Sequence, residues 1–223
     1  MATLIFAAFM LLLALAPLPF GGNRPVAWSL ISVWAGLLVA GWALATLIKP
    51  THLALAWPRI RFIAIGFGLL LGWIYVQGAG WAPAGWAHPF WHDAGGELAQ
   101  RLTGRITAAP DATVTAAMRL MAYAGAFWLA AQLCRVPTRA AIMAWGVAII
   151  GGFYALYGLT VQFAGSNSIL GFAKWAYLGD LTSTFVNRNS YATYAGIGLV
   201  TTLALLLGQV RALFASGDPR YAG

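Results

Sequence analysis

The chain has 223 residues, 61% of them hydrophobic and only 8% charged, where a soluble domain carries about 25% charged residues. That composition excludes a water-soluble globular protein and defines an integral membrane protein. Its formal charge of +8 comes from 13 basic residues spread thinly among apolar segments. They form no basic face, which excludes a nucleic-acid binder, and they read as topology signals and phosphate ligands.

A helix needs about 20 apolar residues to cross the hydrocarbon core. Six stretches qualify: 2–20, 26–48, 62–77, 112–133, 140–163 and 191–210. The expected fold is all-α, a single transmembrane domain over residues 1–223 with about six helices. Only helices or closed barrels satisfy the backbone in lipid, and these runs lack the alternation of barrel strands. In the first, Ala14, Leu15 and Ala16 resemble a signal-peptide cleavage site, but no positive charge precedes the run and a second span follows closely. It therefore reads as a retained helix.

The third span is the shortest, and "QGAGW" extends it to Trp81. Within it "GLLLG", Gly68 to Gly72, is a small-xxx-small match that would let a neighbouring helix approach. For the fourth span "PDAT" is a helix start with Asp111 as the N-cap. Arg119 then lies roughly 12 Å below the helix start. An ionisable residue at such depth marks a functional position, or it snorkels to the headgroups or pairs with Glu97 or Asp93.

Orientation follows from Lys and Arg in the short loops. With a cytoplasmic N-terminus the inner side holds Lys49, Arg59, Arg61, Arg135, Arg139, Arg211 and Arg220 in few loop residues. The outer side holds Arg24, Arg101, Arg105, Lys174 and Arg188 in many. Both termini are accordingly expected inside.

Two long outer loops result, 78–111 and 164–189. Long loops are commonly functional, so a site is expected on this face. The first carries Trp81, Trp86 and Trp91 among Gly and Pro, as in a segment lying along the interface, and "HDAGGELAQRL" reads as a short surface helix. His88 and His92 have the spacing of two ligands on one helical face, with Asp93 beside them. Pro89 interrupts that face and no third ligand is near, so no metal site is assigned. The lone cysteine, Cys134, excludes an intrachain disulfide.

No nucleophile, base and acid can be assembled, and the five acidic residues are scattered, so catalytic residues are unknown. What the outer face supplies is guanidinium, ammonium and amide donors, from Arg188, Lys174, Asn187 and Asn189, which suit phosphate or pyrophosphate. Asn189 or Ser190 is the expected N-cap of the sixth helix. Arg188 would then lie just outside a helix N-terminus whose free N–H groups favour an anion. An ordinary interfacial arginine on lipid headgroups is the alternative.

The stretch "TSTFVNRNSYATYAGIGL", residues 182–199, resembles the "GTFVNRNHFAGYLAL"-type motif that opens the core of the O-antigen ligase and O-antigen polymerase superfamily. Three further stretches agree in the same order along the chain: "LAPLPFGGNRPVAW", "AHPFWHDA" and "ITAAPDATVTAAMRLMAYAGAFWLAAQLCR". The resemblance implies a multi-pass glycosyltransferase of the bacterial inner membrane with its site facing the periplasm. Such an enzyme takes glycan from an undecaprenyl-pyrophosphate donor and passes it to lipid A core, to a growing polysaccharide or, in some branches, to protein.

It also implies no metal or other cofactor, arginines that hold the pyrophosphate, and a base in a later periplasmic loop that activates the acceptor. By match of motif Arg188, Asn187 and Asn189 form the substrate-side group, with Lys174 and Arg119 as further candidates for it. Ser190 stands where many relatives carry histidine. Relatives have many more spans, with the acceptor loop beyond the last residue here, so the chain is expected to be the N-terminal half of such an enzyme and inactive alone. The alternative is a small six-helix permease or a non-catalytic membrane subunit in contact only with membrane lipids. Apart from Arg119, however, the spans lack the midplane charges and broken helices of transporters.

Overall fold

A computed structural model describes residues 1–49 and 57–216. His52, Arg220 and the 217–223 tail lie outside the described residues. Seven α-helices follow one another: α1 Ala2–Leu15, α2 Pro25–Ile48, α3 Trp57–Gly78, α4 Phe90–Glu97, α5 Pro110–Leu133, α6 Pro137–Phe163 and α7 Arg188–Ser216. Three of them, α2, α5 and α6, open on proline as their first residue. A fixed φ suits that position, and the missing N–H would have had no intrahelical partner. Among the described residues five helices are long and apolar enough to cross a membrane: α2, α3, α5, α6 and α7.

The first helix departs from expectation. It ends at Leu15 rather than near Phe20 and has 14 residues, about 21 Å at 1.5 Å each. Pro17 and Pro19 cannot continue the hydrogen-bond ladder. The chain instead turns through Phe20–Gly22, with Gly21 and Gly22 at φ 65° and 70°, a conformation that glycine adopts without steric cost.

The core lies where α1, α2 and α5 meet, around Phe9, Leu12, Ala35, Trp42 and Leu129. Trp42 and Trp128 meet edge to face at 5.5 Å. α6 packs chiefly on α7, with Gly151 and Gly198 backbone to backbone, so that a Cβ on Gly151 would lie 3.2 Å from the Gly198 Cα. The close approach expected at Gly68 and Gly72 is not there, since a Cβ at either would meet nothing within 4 Å. α3 touches α5 alone among the helices it packs against closely.

The connections 16–24, 79–109 and 164–187 gather at one end of the bundle. Thr184 donates from Oγ1 to the Pro17 carbonyl at 2.8 Å, the Thr107 amide donates to the Gln77 carbonyl at 3.1 Å, and at the opposite end Arg139 reaches Thr3. In the first long loop, the Trp91 indole N–H donates to the Thr107 carbonyl at 2.9 Å and the His88 amide to the Arg105 carbonyl at 2.8 Å. The short helix expected over 92–102 is found as α4, which begins at Phe90 and ends at Glu97, before Ala99 at φ 49°. The expected Asp111 cap of α5 is corrected to Ala109: Pro110 opens the helix and Asp111 falls inside its first turn.

Candidate functional site

The second long loop begins as a hairpin, β1 Ser168–Ile169 against β2 Phe172–Ala173. Leu170 and Gly171 make its two-residue turn with φ 50° and 84°, both positive, as the twist of a tight hairpin requires. Beyond it the chain runs through "KWAYLGD" into the buried "TSTF". Ser183 donates from Oγ to the Tyr154 carbonyl at 2.7 Å and Thr184 to Pro17. The Phe185 ring lies against Tyr191 and Tyr194 and covers Gly21, where a Cβ would run into it. Two of the quoted stretches, one at the α1–α2 turn and one entering α7, are thereby packed face to face.

This packing fixes where the cations stand. Arg188 donates from Nη1 to Asp180 Oδ2 at 3.1 Å, and its guanidinium carbon lies 5.7 Å from the Tyr177 ring centroid. Lys174 donates from Nζ to the backbone carbonyl of the same Asp180 at 2.7 Å. Burial lowers the Lys174 pKa from its usual value, while the Asp180 carboxylate works against that shift. Asn187 donates from Nδ2 to the Tyr177 hydroxyl at 3.1 Å. Tyr177 itself has φ 55°, an outlier for a bulky residue. Arg188, Lys174 and Asn187 thus converge on one short segment, residues 177–180. Asn189 is exposed beside them at the start of α7.

The start of α7 needs correction. The cap is Asn187, not Asn189 or Ser190: its Oδ1 accepts from the Asn189 amide at 2.7 Å and the Ser190 amide at 3.4 Å. Arg188 is therefore the first residue inside the helix. Two of the amides expected to be free for an anion are already satisfied. An anion at this place would rest on side chains and on the helix dipole.

Arg119 is not part of the cluster. Its guanidinium carbon lies 5.2 Å from the Trp28 ring centroid on α2, and of the alternatives for this residue the ion pair with Asp93 or Glu97 is not formed. Among the described residues the only ion pair is Arg188 with Asp180. His88 precedes α4 whereas His92 lies within it, so the two share no helical face. Among the described residues no three His, Cys, Asp or Glu side chains come together.

Sequence reasoning missed Asp180 and Tyr177 as partners of Arg188, because eight residues of loop carry no periodicity that would pair them. It also missed Arg24, whose guanidinium lies 4.4 Å from the Trp175 ring centroid and 5.8 Å from that of Phe20. The interleaving of Trp175 with basic residues was the available signal.

Together these features define a polytopic helical membrane protein with a cationic cluster at one end of the bundle. Comparison with protein-family models, with curated proteins and with solved structures found no match.

Proposed function

We propose that the chain forms the donor-binding part of a membrane glycosyltransferase of the O-antigen ligase and polymerase type. Its ligand is the pyrophosphate of an undecaprenyl-linked glycan, its working face is the periplasmic side of a bacterial inner membrane, and its acceptor is lipid A core or a growing polysaccharide. The observation that carries this reading is the convergence of Arg188, Lys174 and Asn187 on the 177–180 segment at the mouth of α7. Non-glycine residues Tyr177 and Ser183 have positive φ within the same loop, and strained backbone of that kind clusters at functional sites.

In transfer an acceptor hydroxyl oxygen bonds the sugar's anomeric carbon and gives its proton to a base, while the bond from that carbon to the terminal phosphate oxygen breaks and the pyrophosphate leaves with the electron pair. Negative charge grows on it in the transition state. A positioned guanidinium favours that state over the ground state and so lowers the barrier. Two cations and one carboxylate leave the cluster net positive, which suits such a leaving group.

The test is glycan transfer, normalised to inserted protein, by the complete enzyme containing this chain, with Arg188, Arg188→Lys or Arg188→Ala. Loss of one or two charge-assisted bonds, each about 1.5–3 kcal/mol, lowers activity by roughly one to four powers of ten in Arg188→Ala. Lys rescues only part, because a point charge does not reproduce a planar two-toothed contact. Equal activity in all three would reduce Arg188 to a headgroup contact and end this reading.

A further inference from the structure

Arg24 is the residue before Pro25, at the N-terminal end of α2. Its guanidinium carbon lies 4.4 Å from the Trp175 ring centroid and 5.8 Å from that of Phe20. No carboxylate among the described residues pairs with it, since the one ion pair there is Arg188 with Asp180. A guanidinium does not deprotonate in proteins, so Arg24 keeps its charge at the end of a membrane helix and draws an anion.

The same cation is part of the wall of an apolar groove. Between α1 and α2 lies a cleft of about 840 Å³, lined by Leu15, Phe20, Arg24, Leu30, Trp34 and Leu37 among others. Among the described residues that line it Arg24 alone is charged. Leu30 and Leu37 are exposed, so the groove opens sideways to lipid. From Arg24 at one end to Leu37 at the other it runs roughly 20 Å along α2, which is about the depth of one leaflet with its headgroups. Its origin is the shortness of α1, whose 14 residues reach about 21 Å where the hydrocarbon core is about 30 Å thick. Pro17 and Pro19 stop that helix, and the turn through Phe20–Gly22 lies beside α2 in place of further helix.

We propose that this groove binds one anionic phospholipid, its phosphate on Arg24 and an acyl chain between α1 and α2. Charge complementarity identifies the occupant: one guanidinium at the end of the groove matches one singly charged phosphodiester, and the hydrocarbon walls match its chain. The Trp175 and Phe20 rings hold the guanidinium by cation–π contacts, which limit the positions its donors can take. A headgroup with its own ammonium would carry an internal counter-ion to its phosphate, so the site favours phosphatidylglycerol over phosphatidylcholine. A free phosphate would leave the groove unfilled. Pyrophosphate carries more charge and suits the paired cations Arg188 and Lys174, neither of which lines the groove, so the inference stands apart from the glycan-transfer reading.

The experiment is native mass spectrometry of the purified 223-residue chain in detergent, titrated with phosphatidylglycerol or phosphatidylcholine. Arg24→Ala and Arg24→Lys change the cation and leave the walls, whereas Leu30→Trp narrows the groove from α2 and leaves the cation in place. Arg101→Ala, at an exposed loop position, removes the same charge elsewhere. The expected result is one phosphatidylglycerol retained by the wild type and by Arg101→Ala. Retention falls by about tenfold or more in Arg24→Ala, as loss of a charge-assisted contact implies, with Arg24→Lys between. It also falls in Leu30→Trp. If Arg24→Ala does not insert, Leu30→Trp alone decides, since unchanged retention there would place the lipid elsewhere. Unchanged retention in Arg24→Ala, equal retention of phosphatidylcholine, or displacement by millimolar glycerol phosphate as effectively as by lipid would each overturn the proposal. So would displacement by farnesyl pyrophosphate at lower concentration than by phosphatidylglycerol, which would assign the groove to a prenyl-linked donor instead.

Discussion

Arg188 and Asp180 form an ion pair at 3.1 Å with side chains 57% and 36% exposed. An exposed pair of this kind contributes about 0–1 kcal/mol to stability, so its meaning is electrostatic. Asp180 occupies the place on Arg188 that an incoming anion would take. Asp180→Asn is therefore expected to leave the thermal midpoint in detergent nearly unchanged while raising affinity for inorganic pyrophosphate by roughly threefold to tenfold, the range water screening allows. Thermal unfolding measures the first and calorimetric titration the second, and weaker binding in the variant would assign Asp180 a supporting role instead.

Lys174 tests the same cluster through pH. Its folded pKa is lowered by burial, with the Asp180 carboxylate opposing. The unfolded chain thus holds its proton to higher pH than the folded one. Stability from this group rises as pH climbs through the window between the folded value and the ordinary value of about 10.4. Acylation of Lys174 by an amine reagent, followed by mass spectrometry against pH, should show a midpoint below the ordinary lysine value. In Asp180→Asn the midpoint should move lower still, because the negative charge that raises it has been removed. A shift upward in that variant would contradict the arrangement.

The docking of the α1–α2 turn on the segment entering α7 depends on Gly21 and Thr184. Gly21 has φ 65° and lies under the Phe185 ring, so Gly21→Ala meets both backbone strain and a ring. A loss of about 1–3 kcal/mol is expected. Thr184→Val removes one of two donors to the buried Pro17 carbonyl, which keeps the Gly21 amide at 3.0 Å, a change of about 0.5–1.5 kcal/mol. Thermal unfolding of the detergent-solubilised chain measures each. Because the residues share one contact region, the double variant should lose less than the sum of the two. Strict additivity would indicate two independent sites.

The ends of the bundle make a topological prediction that does not depend on whether the short α1 spans. Reporter fusions after Gly85 and Ser168 should report the same side of the membrane, and a fusion after Thr138 the opposite side. From the density of basic residues in the short connections, the fusion after Thr138 is expected to report the inner side. A split result between Gly85 and Ser168 would separate the loops that the structure brings together.

Much of the helical framework was legible in the sequence, because hydrophobic length is a local property. Expected limits of 26–48 and 112–133 differ from α2 and α5 by no more than two residues. Local chemistry also explains the errors at helix ends. Pro17 and Pro19 stop α1 early. Three adjacent polar residues, Asn187, Asn189 and Ser190, compete to cap α7, and only the backbone course selects Asn187.

The site itself was legible only as a set of residue types. Arg188, Asn187 and Lys174 stood out as candidate anion ligands by their chemistry, but the Asp180 shared by Arg188 and Lys174 and the placement of Arg119 on Trp28 did not. The hydrogen bond from Thr184 to Pro17 joins residues 167 apart in the chain. The helix pair that touches backbone to backbone is set by Gly151 and Gly198, not by the sequence-adjacent match at Gly68 and Gly72. Composition and periodicity act within a few turns of chain and determined which segments enter lipid. Which cation finds a carboxylate, and which packs on a tryptophan ring, was decided by tertiary packing, because pairing depends on distances between segments that no local pattern encodes.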